Sequence, residues 1–203
     1  MPIDYKKTQK EFYQPKTTPS VIDVPQMVFI MVDGAGNPNT SEEYKSALEI
    51  LYGLSYTIKM NSKTVMEYVV PPLEGLWCLN DGSEDWYKDK SKYCWTSIIR
   101  QPDFVTLDIF EAAKAKLDKK KPQLDTSKAR LEKFTEGLCV QAMHIGSYDN
   151  EPRTNADIMQ FISDNEYVSD IGDKRRHHEI YLNDPRKTAP EKLKTIIRVP
   201  VKN

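Results

Sequence analysis

The alternation of apolar and polar positions changes period several times along the chain, and each change marks an element. Gln26 to Val32 (QMVFIMV) is a nearly continuous apolar run that reads as a central strand, stopped by the turn-forming cluster Asp33-Gly34-Ala35-Gly36-Asn37-Pro38. Thr40 or Ser41 followed by Glu42 and Glu43 starts a helix with acid at the positive end of its dipole. Ala47, Leu48, Ile50, Leu51 and Leu54 give that helix one apolar stripe to about Tyr56, the pattern of packing on a sheet. Thr64 to Val70 (TVMEYVV) predicts the next strand, stopped by Pro71-Pro72, with a loop running from Leu73 to Trp86. Tyr93 to Arg100 is strand-like, and Asp103 to about Lys121 is the clearest helix, ending in a lysine run that suits a solvated C-terminus. A second polar helical piece is expected through Arg130 and Phe134. Leu138 to His144 then reads as a strand, Gly146 to Pro152 as a turn, Arg153 to Asn165 as a helix, and His177 to Leu182 and Leu193 to Val201 as two more strands. The first 25 residues hold a short helical piece from Asp4 to Tyr13 and then Pro15, Pro19 and Pro25, the composition of an extended arm.

This order contains a repeat. Gly34 precedes Glu67 by 33 residues, as Gly146 precedes Glu179, and within that shift Met31 matches Met143 and Ile50 matches Ile162. The last strands match at a smaller shift, Ser97-Ile98-Ile99-Arg100 against Thr195-Ile196-Ile197-Arg198, which places an insertion in the first half, in the Leu73 to Trp86 loop. The fold expected is α+β: duplicated β-α-β-β units forming an antiparallel sheet with helices on one face and a ligand cleft near the pseudo-twofold axis. Residues 1–25 would be the arm and 26–203 a single domain, made of repeat one at 26–102, a linker helix at 103–137 and repeat two at 138–203.

The chemistry concentrates on the strand His177-His178-Glu179-Ile180-Tyr181-Leu182. Period-2 alternation puts Ile180 and Leu182 on one face and His177, Glu179 and Tyr181 on the other. A carboxylate carried inward must shift its pKa, find donors or meet a cationic ligand. The repeat sets Glu67 at the equivalent position. His177 and His178 point to opposite faces and cannot share a metal, and no acidic or cysteine pattern completes a site with His144, so neither metal nor cofactor is expected. No phosphate-binding glycine loop and no nucleophile elbow occurs. The 29 basic and 30 acidic side chains give a net charge of -1 and no global drive toward nucleic acid or an anionic membrane. Three cysteines, Cys78, Cys94 and Cys139, without CxxC spacing, argue against a disulfide framework and for a reducing cytoplasm; no signal-type segment and no membrane-length apolar run is visible. Eleven Tyr and three Trp could line a pocket, and fill a core equally well.

Four stretches together resemble the GyrI-like small-molecule-binding family, related to the effector domains of multidrug-sensing transcription regulators. They are Val24 to Gly34, Pro72-Leu73-Glu74-Gly75-Leu76-Trp77, the turn His144-Ile145-Gly146-Ser147-Tyr148, and His178 to Leu182 with Asp184-Pro185. The resemblance implies a pocket for bulky, flat, often cationic compounds with an acidic residue at its base. Glu179 matches that acid, Tyr148 the tyrosine of the turn, and Trp77 a stretch beside the pocket. Trp95 and Tyr181 are further wall candidates and Met31 an adaptable filler, while Glu74 and His144, inside two of the quoted stretches, complete the candidate binding set. A carboxylate among aromatic faces suits lipophilic cations of many shapes. No counterpart of the regulators' separate DNA-binding domain is expected, since the arm reads as too short for a helix-turn-helix. Some members of this branch resemble enzymes that open the cyclopropane of DNA-alkylating natural products. In that alternative Glu179 is the general base and Tyr148 stabilises charge on the conjugated carbonyl. A ligand-dependent protein-interaction module is a further alternative, although no docking motif identifies a partner.

Overall fold

The apolar run after Pro25 belongs to a longer strand, β1, which spans Ser20–Ala35 and is buried from Met27 to Val32. The computed structural model describes residues 2–79, 89–172 and 174–203; most of the loop expected up to Trp86 lies outside them. The fold is α+β, with antiparallel ladders between its strands. Two compact units form, one from Met1–Asp4, Met27–Pro71 and Gly75–Phe134, the other from Tyr5–Gln26, Pro72–Glu74 and Thr135–Asn203.

In the first unit, the second half of β1, Val28 to Ala35, pairs with β3 (Tyr93–Gln101), Met31 facing Ile98 and Gly34 facing Trp95. Strand β2 (Leu73–Leu79) lies beside β3. Helix α3 (Glu42–Asn61) starts where the Ser41 hydroxyl accepts the Tyr44 N–H, and it runs beyond Tyr56 because Ile58 continues the stripe of Ala47, Ile50, Leu51 and Leu54 into the core. It packs on β3 and on α4 (Leu107–Lys120), whose Phe110, Ala113 and Leu117 are buried. Gly53 allows the two helices to approach, since a Cβ there would lie 2.9 Å from a Leu117 methyl.

The second unit holds two short helices, α1 (Tyr5–Thr8) and α2 (Lys10–Tyr13), and the part of β4 (Ala129–Ile145) that pairs with β7 (Lys194–Lys202). On the other edge of β7 lie β6 (His177–Tyr181) and the two residues of β5 (Val168–Ser169). Helix α5 (Glu151–Asp164) begins with Pro152 in its first turn and lays Ile158 and Ile162 on Val140, Ala142, Ile197, Val199 and Val201. The duplication is visible in register: Met143 faces Ile196 as Met31 faces Ile98.

Several expectations from the sequence are corrected. Residues 64–70 form no strand: Tyr68 makes one isolated parallel bridge with Ile3, while Val65 is 68% exposed, so this apolar run lacks the second covered face that a strand needs. The strand of that half is β2, inside the stretch expected to be a loop. Glu67 is exposed outside any strand and is therefore no counterpart of Glu179. The helical piece expected through Arg130 and Phe134 is the start of β4. Cys78 of β2 and Cys94 of β3 form a disulfide, which odd number and spacing had argued against; adjacent strands bring their Cα atoms to 5.0 Å, a proximity that sequence spacing does not encode. The cysteine pattern thus no longer argues for a reducing compartment. No helix among the described residues is long and apolar enough to cross a membrane.

Candidate functional site

Residues paired across an antiparallel ladder share a face, so the registers of β7 fix what surrounds Glu179. Glu179 faces Ile197 and Tyr181 faces Thr195, while Ala142 and His144 of β4 face Ile197 and Thr195 from the other side. Ile197 and Ala142 belong to the core beneath α5, and Glu179 therefore rises from the helix-bearing face of its sheet.

Both oxygens of that carboxylate are held. His177 Nε2 donates to Oε1 at 3.1 Å and the Tyr181 hydroxyl donates to Oε2 at 2.7 Å, one partner on each side along the strand. The Glu179 side chain is 15% exposed, desolvated enough for these bonds to count and open enough to meet a ligand. The Tyr148 ring stands edge-on to Tyr181 with centroids 5.9 Å apart. Burial pushes the Tyr148 phenol up, and the nearby negative charges of Glu151, Glu179 and Asp184 push it further, to about 12. Tyr148 is therefore a protonated hydrogen-bond donor at neutral pH.

The turn that presents Tyr148 is built locally. Gly146 adopts φ +141°, a conformation that side chains avoid, and its N–H donates to the Leu193 carbonyl at 3.0 Å. His144 Nε2 lies 3.0 Å from the Ser147 carbonyl, which can only accept, so that nitrogen donates, and Nδ1 shares a hydrogen bond of 2.8 Å with the Thr154 hydroxyl. With both nitrogens engaged, His144 pins the turn that carries Tyr148.

On the opposite face of β6 a buried charged chain runs. His178 bonds Glu74 through Nε2 and Glu136 through Nδ1, both at 2.9 Å, and Glu136 reaches Arg198 at 3.2 Å. Arg198 also donates to Gln141 and to the Phe12 carbonyl, and Gln141 donates to the Glu11 carbonyl, which ties the N-terminal arm to this face. Burial opposes the charge on His178, but Glu136 and Glu74 outweigh it and raise the ring to about 9; burial likewise opposes ionisation of Glu136, yet His178 and Arg198 hold it at about 2. Two carboxylates accept from one ring only if both nitrogens are protonated, so His178 is an imidazolium.

Of the residues singled out in the sequence, Glu179, Tyr181 and Tyr148 come together, with His144 supporting their turn. Glu74 is in the charged chain. Trp77, Trp95 and Met31 are buried in the first unit, where Tyr44 meets Trp95 at 4.9 Å and Trp77 at 6.1 Å between ring centroids, and Tyr93 meets Trp77 at 5.6 Å. His177 as partner of Glu179 was legible from the strand alternation. Tyr44, Glu136 and Arg198 carry no local signal, since their partners lie far along the chain. Among the described residues no group of three His, Cys, Asp or Glu side chains could hold a metal ion.

Comparison with known proteins agrees with this fold. No curated protein matches the chain. Over 98% of this chain and 100% of its own, an uncharacterized conserved protein from Listeria innocua is similar at 48% identity and a TM-score of 0.94. A hydrolase encoded by lin2189 from Listeria innocua is similar at 49% identity and a TM-score of 0.90, with both chains covered fully at 100%. The C-terminal domain of EcmrR, at 14% identity and a TM-score of 0.58 over 92% of this chain and 98% of its own, shares the fold. The family model of the GyrI-like small molecule binding domain matches residues 17–202, and the chain belongs to that family.

Proposed function

We propose that this protein binds bulky hydrophobic small molecules and hydrolyses electrophilic members of that class, with Glu179 as general base. The observation that carries the reading is the row His177, Glu179 and Tyr181 on one strand face, which holds a part-exposed carboxylate by both oxygens beside the protonated Tyr148. Such a carboxylate is fixed in orientation and can take a proton from water without moving. The similarity at 49% identity to a protein described as a hydrolase supports the reaction class. For the strained cyclopropane of a DNA-alkylating natural product, the water oxygen bonds to the ring methylene as Glu179 takes its proton. The ring C–C bond breaks and its electron pair moves onto the conjugated carbonyl oxygen, which Tyr148 stabilises by donating a hydrogen bond. The proton held by Glu179 returns to that oxygen through solvent, and the product is substrate plus one water.

The test is incubation with a spirocyclopropyl cyclohexadienone and mass analysis of the product. Wild-type protein is expected to yield addition of one water, and Glu179→Gln to lose ~10²–10⁴-fold in rate. A Glu179→Gln protein as fast as wild type would overturn the reading. The second reading, binding of lipophilic cations without chemistry, is favoured by the three carboxylates whose charge reaches Tyr148, Glu151, Glu179 and Asp184. It predicts that Glu179→Gln weakens a cationic dye more than a neutral dye of the same shape.

A further inference from the structure

We infer that Thr195 is a positioning residue that holds the water which Glu179 activates. Thr195 is 1% exposed in the middle of the three-stranded part of the sheet, and its Oγ1 is buried with no hydrogen-bond partner among the described residues. A buried hydroxyl without a partner costs about 1–3 kcal/mol, so the position is expected to gain a partner that the described residues do not supply. It lies directly opposite Tyr181 on one side and His144 on the other. His144 is committed through both ring nitrogens, and the Tyr181 hydroxyl is committed to Glu179.

Glu179 pairs with Ile197, two residues along β7 from Thr195, which makes Thr195 and Glu179 diagonal neighbours on one face. Such neighbours lie about 7–8 Å apart, a separation that one water spans with a hydrogen bond of ~2.8 Å at each end once the side chains reach inward. The Gly146 N–H bond to Leu193 docks the turn of Tyr148 beside this end of β7. Thr195, Glu179 and Tyr148 thus supply the two to four polar partners that a buried water requires. The hydroxyl donates or accepts as the water demands, and the carboxylate opposite takes the proton.

This inference rests on the hydrolytic reading, and the experiment separates the two. Crystals of wild type, Thr195→Val and Thr195→Ser are compared for an ordered water between Thr195 Oγ1 and Glu179, and the same proteins with Glu179→Gln are assayed on the spirocyclopropyl cyclohexadienone. The water is expected in wild type and in Thr195→Ser and lost in Thr195→Val, whose kcat falls ~10-fold or more with KM unchanged, while Thr195→Ser restores the rate. A Thr195→Val protein with wild-type kcat, or a wild-type crystal with no water on Oγ1, overturns the role of Thr195. If Thr195→Val does not fold, the wild-type water and the Thr195→Ser rate decide. Failure of the hydrolytic reading shows differently: the probe is unchanged by every protein, and the water alone then confirms or removes Thr195 as its holder.

Discussion

The two units share one plan and fill it with opposite chemistry. In each, a long first strand pairs with the last, Met31 on Ile98 and Met143 on Ile196, and a helix follows the first strand. In the first unit the strands after that helix carry Trp77, Tyr93 and Trp95 around Tyr44 and are joined by the Cys78–Cys94 disulfide. In the second they carry the row of Glu179 on one face and the charged chain of His178 on the other. Apolar contact and a covalent bond hold their strands without titrating. A buried ionic chain also fixes its strands, but it binds them to the pH and leaves a neighbouring face on which acid–base groups keep defined orientations. The first unit is thus packed around aromatic rings, and the second holds the buried titratable groups.

Breaking the charged chain should give the largest effect. Glu136→Gln leaves His178 and Arg198 facing a neutral amide in a buried site, and loss of one partner from a buried ion pair costs about 3–5 kcal/mol. Denaturant unfolding is expected to show that loss, with hydrogen exchange rising first in β6 and β7. The pH response follows from signs. His178 is raised from 6.5 to about 9, so its contribution is complete below 6.5 and disappears as pH climbs through 9; Glu136 is lowered from 4.5 to about 2, so its contribution is complete above 4.5 and disappears as pH drops toward 2. The chain is therefore most stabilising between the two ordinary values, and stability measured across pH should decline on both sides of that window. A Glu136→Gln protein should lose most of that dependence.

The first unit should answer to reduction instead. The disulfide closes a loop with a sequence separation of 16, and a loop of that size corresponds to about 3 kcal/mol in the chain-entropy account. Replacing Cys78 and Cys94 by serine is expected to lower stability by about that amount and to change the fluorescence of Trp77 and Trp95, while exchange in β6 and β7 stays as in wild type. An equal loss of protection in both units would end the contrast.

How much of this was legible in the sequence depends on the range of the interactions. The strand of Glu179, the three long helices and the last strand announce themselves by local period, and the matched residues Met31 with Met143 and Ile98 with Ile196 announced the repeat. Strand β2 did not, because Leu73-Glu74-Gly75 reads as loop unless Glu74 is neutralised, and the group that does so, His178, stands 104 residues away. The apolar run at 64–70 misled for the reciprocal reason: period alone cannot show that no sheet waits to cover it. Orphaned Thr195 carried no sequence signal, since only the register of β7 shows what flanks it.

Equivalent glycines sharpen the comparison at smaller cost. Gly34 lies one residue before the end of β1 and Gly146 one residue after the end of β4, and each is required for a different reason. A Cβ on Gly34 would run into the Trp95 ring, whereas Gly146 has room but sits at φ +141°. Gly34→Ala is expected to cost about 1–3 kcal/mol by overpacking and to shift tryptophan emission. Gly146→Ala should cost a similar ~1–3 kcal/mol through backbone strain, without a tryptophan signal and with loss of the Tyr148 turn.

The smallest effect separates two arginines. Arg175 of the second unit pairs Asp170 at 2.9 Å and also donates to the carbonyls of Glu136, Leu138 and Val201, where Gly137 bends β4 at φ +72°. Arg130 of the first unit pairs Asp33 and Glu132 with its side chain 43% exposed. Exposed pairs contribute about 0–1 kcal/mol, because water competes for both charges, and Arg130→Gln should change the unfolding free energy by less than that. Arg175→Gln strips partners from several carbonyls at once and should cost more, about 0.5–1.5 kcal/mol for each hydrogen bond not replaced by water. Raising the salt concentration provides the internal control: it should shrink the Arg130 effect and the Asp170 share of the Arg175 effect, and leave the carbonyl share of the latter largely intact, since those bonds are not screened like an exposed ion pair.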